Sequence, residues 1–254
     1  MVIVGGRMAY WLLKTLLSPL FRFFYRVRVE GLDNVPASGA AILAGNHLAV
    51  FDSFFLPLVL DRRITFVAKA EYFEDPKTAW FFRAAGQIPI KREGGSASQR
   101  AMDSAREVLE AGELFGIYPE GTRSPDGRLH KGHTGVARLA LQCNAPVLAV
   151  AMIGTREAQP IGKVVPKLFM PITIKISKPM RFDRYADRVG DPKALRQITD
   201  EIMFELRELS GQEYVDSYAA RKGALAAADR AHVATAAEAI AQAESESELR
   251  AAAS

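Results

Sequence analysis

The sequence predicts a single α/β domain with a mostly parallel central sheet flanked by helices, and three observations carry that prediction. Short apolar runs alternate with helical patterns through most of the chain, as in layered folds whose strands are joined by helices. With 254 residues, 49% of them hydrophobic and 24% charged, the chain can bury a substantial core, which excludes disorder throughout. Two of the apolar runs also end directly in polar segments, the place where α/β folds put their sites.

The first segment, residues 1–26, reads differently from the rest. Arg7, Lys14, Arg22 and Arg26 are interleaved with Tyr10, Trp11, Leu12, Leu16, Phe21 and Phe23, and no acidic residue occurs before Glu30. No apolar run reaches the roughly 20 residues that a spanning helix needs, and Lys14 makes the stretch a poor signal peptide. The pattern predicts an amphipathic interfacial helix, or a pair hinged near Ser18 and Pro19, with apolar side chains in the acyl boundary and cations at anionic headgroups. The competing reading is a first helix docked on the protein's own core.

Residues 27–218 form the predicted α/β domain, and its strands are expected at 27–30, 41–45, 64–68, 88–91, 114–118, 147–153 and 172–177. Between them, residues 98–110 place Ala101, Met102, Ala105, Val108 and Leu109 on one helical face, and residues 135–142 read as a short buried helix. Pro192 opens a last helix whose stripe is Leu195, Ile198, Ile202, Met203, Leu206 and Leu209, ended by Gly211. Residues 219–254 are Ala-rich and mixed in charge, which predicts a solvated helix or a tail.

Several function classes drop out. A single cysteine, Cys143, and four histidines support neither a disulfide nor a metal cluster. Gly94 and Gly95 lack the spacing of either common nucleotide loop. The formal charge of +4 suits nucleic acid, an anionic membrane or a phosphorylated substrate alike, so position along the chain has to decide; the basic, aromatic N-terminal segment points to membrane and not to nucleic acid.

Chemistry concentrates in two segments. The run 41–45 leads into Asn46, His47 and, five positions after the histidine, Asp52. On one continuous helix the two would stand roughly 140° apart, so a direct pair requires a turn before the helix begins. If they meet, Asp52 fixes the tautomer of His47 and leaves its other nitrogen free to take a proton from a hydroxyl. A capping Asp beside an incidental His is the alternative. The second segment, Tyr118, Pro119, Glu120, Gly121, Thr122, Arg123 and Ser124, also follows an apolar run, with His130, Lys131 and His133 beyond it. Its charged and hydroxyl groups suit a phosphate or alcohol, and N–H groups around Gly121 suit an oxyanion. Between the two, residues 86–92 would deliver Lys91 or Arg92 at a strand end as the cation for a phosphate.

In this order, Asn46-His47 with Asp52, then residues 86–92, 119–124 and 145–150, the chain resembles the glycerophosphate acyltransferase family of phospholipid synthesis, which includes the 1-acylglycerol-3-phosphate acyltransferases. The resemblance implies that His47 is the general base and Asp52 its orienting partner. It implies that Arg92 and neighbouring cations hold the acceptor phosphate, that Glu120, Gly121, Thr122 and Arg123 shape the acceptor site, and that Lys69 and Lys131 occupy commonly basic positions. It further implies direct attack of a hydroxyl on a thioester, from acyl-CoA or an acyl carrier protein, with no cofactor, metal or acyl-enzyme. The expected setting is peripheral, at the cytoplasmic face of the cell membrane. Three positions depart from the family pattern: Pro89 where Phe is common, His130 where Lys is common, and Ala149 where a second Pro is usual. The expected acceptor is 1-acylglycerol-3-phosphate. The rivals are glycerol-3-phosphate or another lipid acceptor, and a peripheral phospholipid-binding protein without turnover.

Overall fold

A computed structural model describes residues 7–90, 97–163 and 166–220. The chain divides into two units, Met1–Tyr218 and Ala219–Ser254; the Ala-rich segment expected to be helix or tail lies outside the described residues from 221 onward. In the first unit the strands are β1 (Arg26–Glu30), β2 (Ala41–Gly45), β3 (Ile64–Lys69), β4 (Ile88–Ile90), β5 (Leu114–Ile117), β6 (Leu129–His130), β7 (Val147–Ile153), β8 (Pro171–Ile176) and β9 (Tyr214–Val215). The helices are α1 (Arg7–Phe24), α2 (Asp52–Val59), α3 (Glu71–Glu74), α4 (Pro76–Ala84), α5 (Ala97–Glu110), α6 (Gly135–Gln142), α7 (Thr155–Ala158) and α8 (Pro192–Ser210).

Seven strands form one sheet in the order β1-β8-β7-β2-β5-β3-β4, parallel at every pairing except β7 with β8. The alternation along β2 explains why its residues read as a continuous apolar run. Ile42 and Ala44 join a core with α5, α6 and α8, while Ala41 and Leu43 join a second core with α2 and the end of α1. Leaving β2, the chain crosses the α2 face to reach β3; leaving β5, it crosses the opposite face through α6 to reach β7. Adjacent parallel strands whose exits part to opposite faces leave a crevice at their carboxyl ends. Both polar segments singled out in the sequence emerge there.

The stripe expected of α8 is buried from Leu195 to Leu206, with Leu209 half-buried. Asp191 caps this helix by accepting from the Lys193 N–H at 2.8 Å, and Gly211 ends it in a left-handed conformation. On α5, Ala105, Val108 and Leu109 are buried, whereas Ala101 and Met102 are half-buried.

α1 combines the two readings of the N-terminal segment. It is one helix containing Pro19, not a pair hinged there. Its inner face docks: Tyr10 is buried, and the Phe21 ring lies 5.4 Å from Phe55 and 5.9 Å from Phe51. Its outer face exposes Met8, Leu12, Leu16, Leu20 and Phe23. The cations do not all turn outward as expected. The Lys14 ammonium donates to the Leu60 carbonyl, and Ser18 Oγ donates to the Leu58 carbonyl at 3.2 Å, so α1 satisfies acceptors left open where α2 ends. Burial lowers the Lys14 pKa. Among the described residues no helix is long and apolar enough to cross a membrane.

Candidate active site

At the end of β2, Asn46 continues the sheet with its side chain. Its Oδ1 accepts from Met152 N–H at 2.7 Å and its Nδ2 donates to Met152 C=O at 3.1 Å, a strand-like pair with β7. The backbone is thereby free to turn, and at Asp52 it enters α2. One oxygen of that buried carboxylate, Oδ2, accepts from Leu48 N–H at 2.7 Å, from Ala49 N–H at 2.8 Å and from His47 Nδ1 at 3.0 Å. The turn that a His-x4-Asp pair requires is thus tied by the aspartate itself. An ionised carboxylate only accepts hydrogen bonds, which puts the proton on Nδ1 and the lone pair on Nε2.

The imidazole is held in plane by aromatic stacking. Tyr118, just past β5, stacks on His47 at 3.9 Å and 10°, and Phe66 stacks on the far face of the tyrosine at 5.5 Å. The Tyr118 hydroxyl bonds Ser53 Oγ at 2.9 Å. Two glycines leave room for these rings. A Cβ on Gly45 would meet the Tyr118 ring at 3.3 Å, and one on Gly116 would overlap the Phe66 ring at 2.2 Å.

Glu120 stands differently from its expected place. The sequence reading set it in the acceptor site, whereas its carboxylate is 1% exposed and bridges two backbones: Oε1 accepts from His47 N–H at 3.2 Å and Oε2 from His130 N–H at 3.0 Å. Burial raises its pKa from 4.5 to about 7, against the opposing pull of those two N–H groups. Ser124 N–H closes the junction by donating to His47 C=O at 2.7 Å. The backbone on both sides of the imidazole is therefore clamped by the 119–124 segment.

Gly121, in a left-handed conformation, donates its N–H to Tyr118 C=O at 2.9 Å, so this group is taken by a turn instead of waiting for an oxyanion. Thr122 and Arg123 are half-buried, and among the described residues their N–H groups and the Arg123 guanidinium have no hydrogen-bond partner. Lys131 reaches Asp216 at 2.7 Å. Lys69 closes β3, on the same sheet edge as His47. Lys91 and Arg92 lie outside the described residues, immediately after β4.

Sequence reasoning missed the strap that holds the second loop. Beyond α8 the chain pairs β9 with β6 in a two-stranded sheet. Gln212 accepts from Asn46 Nδ2 at 2.6 Å and donates to Gly127 C=O at 2.7 Å, joining both site loops. The aromatic signal for Tyr118 was available in the heptapeptide; nothing near Gln212 in the sequence marks it.

With this geometry in place, the family model for acyltransferases matches residues 26–153. The chain belongs to the acyltransferase family. It is similar to the chloroplastic 1-acyl-sn-glycerol-3-phosphate acyltransferase LPAT1 of Arabidopsis thaliana, with 31% identity over 140 residues, covering 55% of this chain and 39% of that one. The 1-acyl-sn-glycerol-3-phosphate acyltransferase of Limnanthes alba is 31% identical over 180 residues, covering 69% of this chain and 63% of the relative. Thus the chain spans from about two fifths to under two thirds of the length of these curated relatives. Among solved structures, the 1-acyl-sn-glycerophosphate acyltransferase PlsC of Thermotoga maritima superposes with a TM-score of 0.62 and 25% identity, covering 82% of this chain and 83% of that one.

The three departures from the acyltransferase pattern have local reasons. Pro89 sits in β4, the last strand of the sheet, where a missing N–H is tolerated. Ala149 is in the interior strand β7 and uses its N–H to donate to Ser177 Oγ at 2.8 Å, a bond that a proline would forfeit. His130 is buried with Nε2 on Asp126 Oδ1 at 3.0 Å, so its ring serves the loop.

Proposed function

We propose that this acyltransferase moves a fatty acyl group from a thioester to the free hydroxyl of 1-acylglycerol-3-phosphate, giving phosphatidic acid. The observation that carries the reading is the His47 Nδ1 to Asp52 Oδ2 contact of 3.0 Å, with Nε2 left unpartnered among the described residues in a side chain that is 17% exposed. The names of the relatives support the acceptor.

In the reaction Nε2 takes the proton of the acceptor hydroxyl as its oxygen attacks the thioester carbonyl. Asp52 stabilises the imidazolium that forms. The tetrahedral intermediate carries its negative charge on the former carbonyl oxygen, for which the N–H groups of Thr122 and Arg123 are the available donors. Collapse breaks the carbon–sulfur bond, and the departing thiolate takes the proton back from Nε2 as thiol. Acyl-CoA and an acyl carrier protein both present this thioester. Arg123, with Lys69, Lys91, Arg92 and Lys131, supplies the cationic side chains for the acceptor phosphate. Glu120 acts through the His47 backbone as a positioning residue. The exposed outer face of α1 supports a peripheral seat on a phospholipid surface; the same reading sets that seat at the cytoplasmic face of the membrane.

The test is thiol release from a long-chain acyl-CoA, and separately from an acyl carrier protein, with glycerol-3-phosphate and its 1-acyl derivative offered in turn. Release that needs the 1-acyl acceptor and falls by roughly 10² to 10⁴ in His47→Ala supports the reading. Preference for glycerol-3-phosphate moves the acceptor, and no release with any pair revives a binding protein without turnover.

A further inference from the structure

The turn before β8 presents two large apolar side chains to solvent. Leu168 is 47% exposed and Phe169 58% exposed. Phe169 also has φ of +62°, in the left-handed region that glycine and asparagine favour and that a bulky side chain enters at a cost. The backbone there is nevertheless fixed: Phe169 N–H donates to Phe24 C=O at 2.6 Å, and Arg26 Nη2 donates to Phe169 C=O at 3.4 Å.

This conformation places the ring against the end of α1, 6.4 Å from Phe23 and 6.0 Å from Phe24. Phe23 is itself 72% exposed and belongs to the outer apolar face of α1. Two chain segments far apart in sequence therefore build one continuous apolar surface. Exposed cations accompany both segments: Arg22 and Arg26 flank Phe23 and Phe24 in the chain, Arg26 reaching the Phe169 carbonyl, and Lys167 precedes Leu168.

We propose that the Leu168–Phe169 turn is a second membrane-inserting element, which enters an anionic bilayer beside the outer face of α1. It rests on the peripheral-membrane part of the proposed function. Apolar tips at the acyl boundary with Lys and Arg at headgroup height match the layering of a bilayer surface, and that charge complementarity favours lipid over a second copy of the same cationic surface. The left-handed backbone at Phe169 aims the ring outward and alongside Phe23, so the two enter together.

Co-sedimentation of the full chain with vesicles of equimolar phosphatidylglycerol and phosphatidylcholine tests this. Phe169→Asn keeps a residue tolerant of the left-handed backbone but removes the ring, and it should weaken partitioning by about tenfold. Phe169→Trp should restore it and show fluorescence quenching by bromine-labelled acyl chains beyond that of Trp11 and Trp80 in the wild type. Hydrolysis-corrected turnover of a dispersed short-chain acceptor should be equal in all three proteins. Wild-type-like partitioning of Phe169→Asn, with no extra quenching in Phe169→Trp, overturns the second element while leaving the α1 surface intact. A wild type that does not bind these vesicles overturns both readings. Self-association that needs Phe169 and is unaffected by vesicles makes the surface a subunit contact and overturns the bilayer as its occupant.

Discussion

The two loops of the candidate site are held in different ways. The His47 to Asp52 turn is closed by its own residues, with Asp52 Oδ2 taking three hydrogen bonds within five positions of sequence. The loop from Glu120 to His133 has its own internal bonds, such as those of Asp126 to Arg128 and His130, but is also fastened from a distance: Gln212, Asp216 and the β6 to β9 pairing reach it from beyond α8. A locally closed turn can carry a proton-transfer pair that tolerates drift elsewhere. The two meet at the His47 backbone, which Glu120 and Ser124 clamp, so the remote fastening can be retuned only beyond that junction. This division matches the proposed roles, chemistry in the first loop and acceptor recognition in the second.

The largest effect should come from Asp52→Asn. The amide oxygen can still accept from Leu48 and Ala49 N–H, so the turn survives, but the charge that stabilises the imidazolium is gone. Turnover should fall by roughly 10² to 10⁴ with circular dichroism unchanged. Wild-type turnover in this variant would reduce Asp52 to a cap.

Glu120 joins the two loops, and its titration tests how much the junction matters. Its folded pKa is about 7 against 4.5 when exposed, so between these values the folded state holds a proton that the unfolded state releases. Stability from this group is therefore full below about 4.5 and is lost as pH rises through about 7, on the order of 3 kcal/mol in total. Melting temperatures of the wild type measured against Glu120→Gln should show the wild-type advantage shrinking over that interval. A constant difference would mean that the carboxylate does not titrate there.

Next in size is Gln212→Ala, which removes the bonds to Asn46 and Gly127. The loss should be about 1–2 kcal/mol, read as a fall of several degrees in melting temperature. The Michaelis constant for the acceptor should rise more than turnover falls, because the second loop loosens and the Asp52-tied turn does not. Equal damage to both parameters would show that the loops are mechanically one.

The same contrast governs what the sequence could reveal. The His47 and Asp52 pair was legible because its logic is local: a spacing, a strand end and a turn. Strand β7 and helix α6 were legible at both ends, since continuous burial and a 3.6-residue period are written into consecutive residues. The four-residue helices α3 and α7 were not, being too brief to establish a period, nor was α4, whose apolar residues fall together at 79–82 instead of at helical spacing. Nor were β6 and β9, two residues each, which exist only because they find one another across the fold. Glu120 was recognised as important for the acceptor site, but its burial and its bridge between the His47 and His130 backbones were not legible. Burial depends on what β6 brings over it, and the heptapeptide carries no sign of that.

The smallest effect concerns Lys131 and Asp216, 2.7 Å apart at the surface with the carboxylate largely exposed. Such a pair contributes little to stability, so Lys131→Met and Asp216→Asn should melt close to the wild type. Their kinetics should nevertheless diverge. If Lys131 is shared between Asp216 and the acceptor phosphate, Asp216→Asn releases it and lowers the Michaelis constant for the phosphorylated acceptor, whereas Lys131→Met raises it, both with turnover preserved. If the pair only pins the strap to the loop, both substitutions move the constant in the same direction. The sign of the Asp216→Asn change thus separates a lysine that binds substrate from one that fastens the loop.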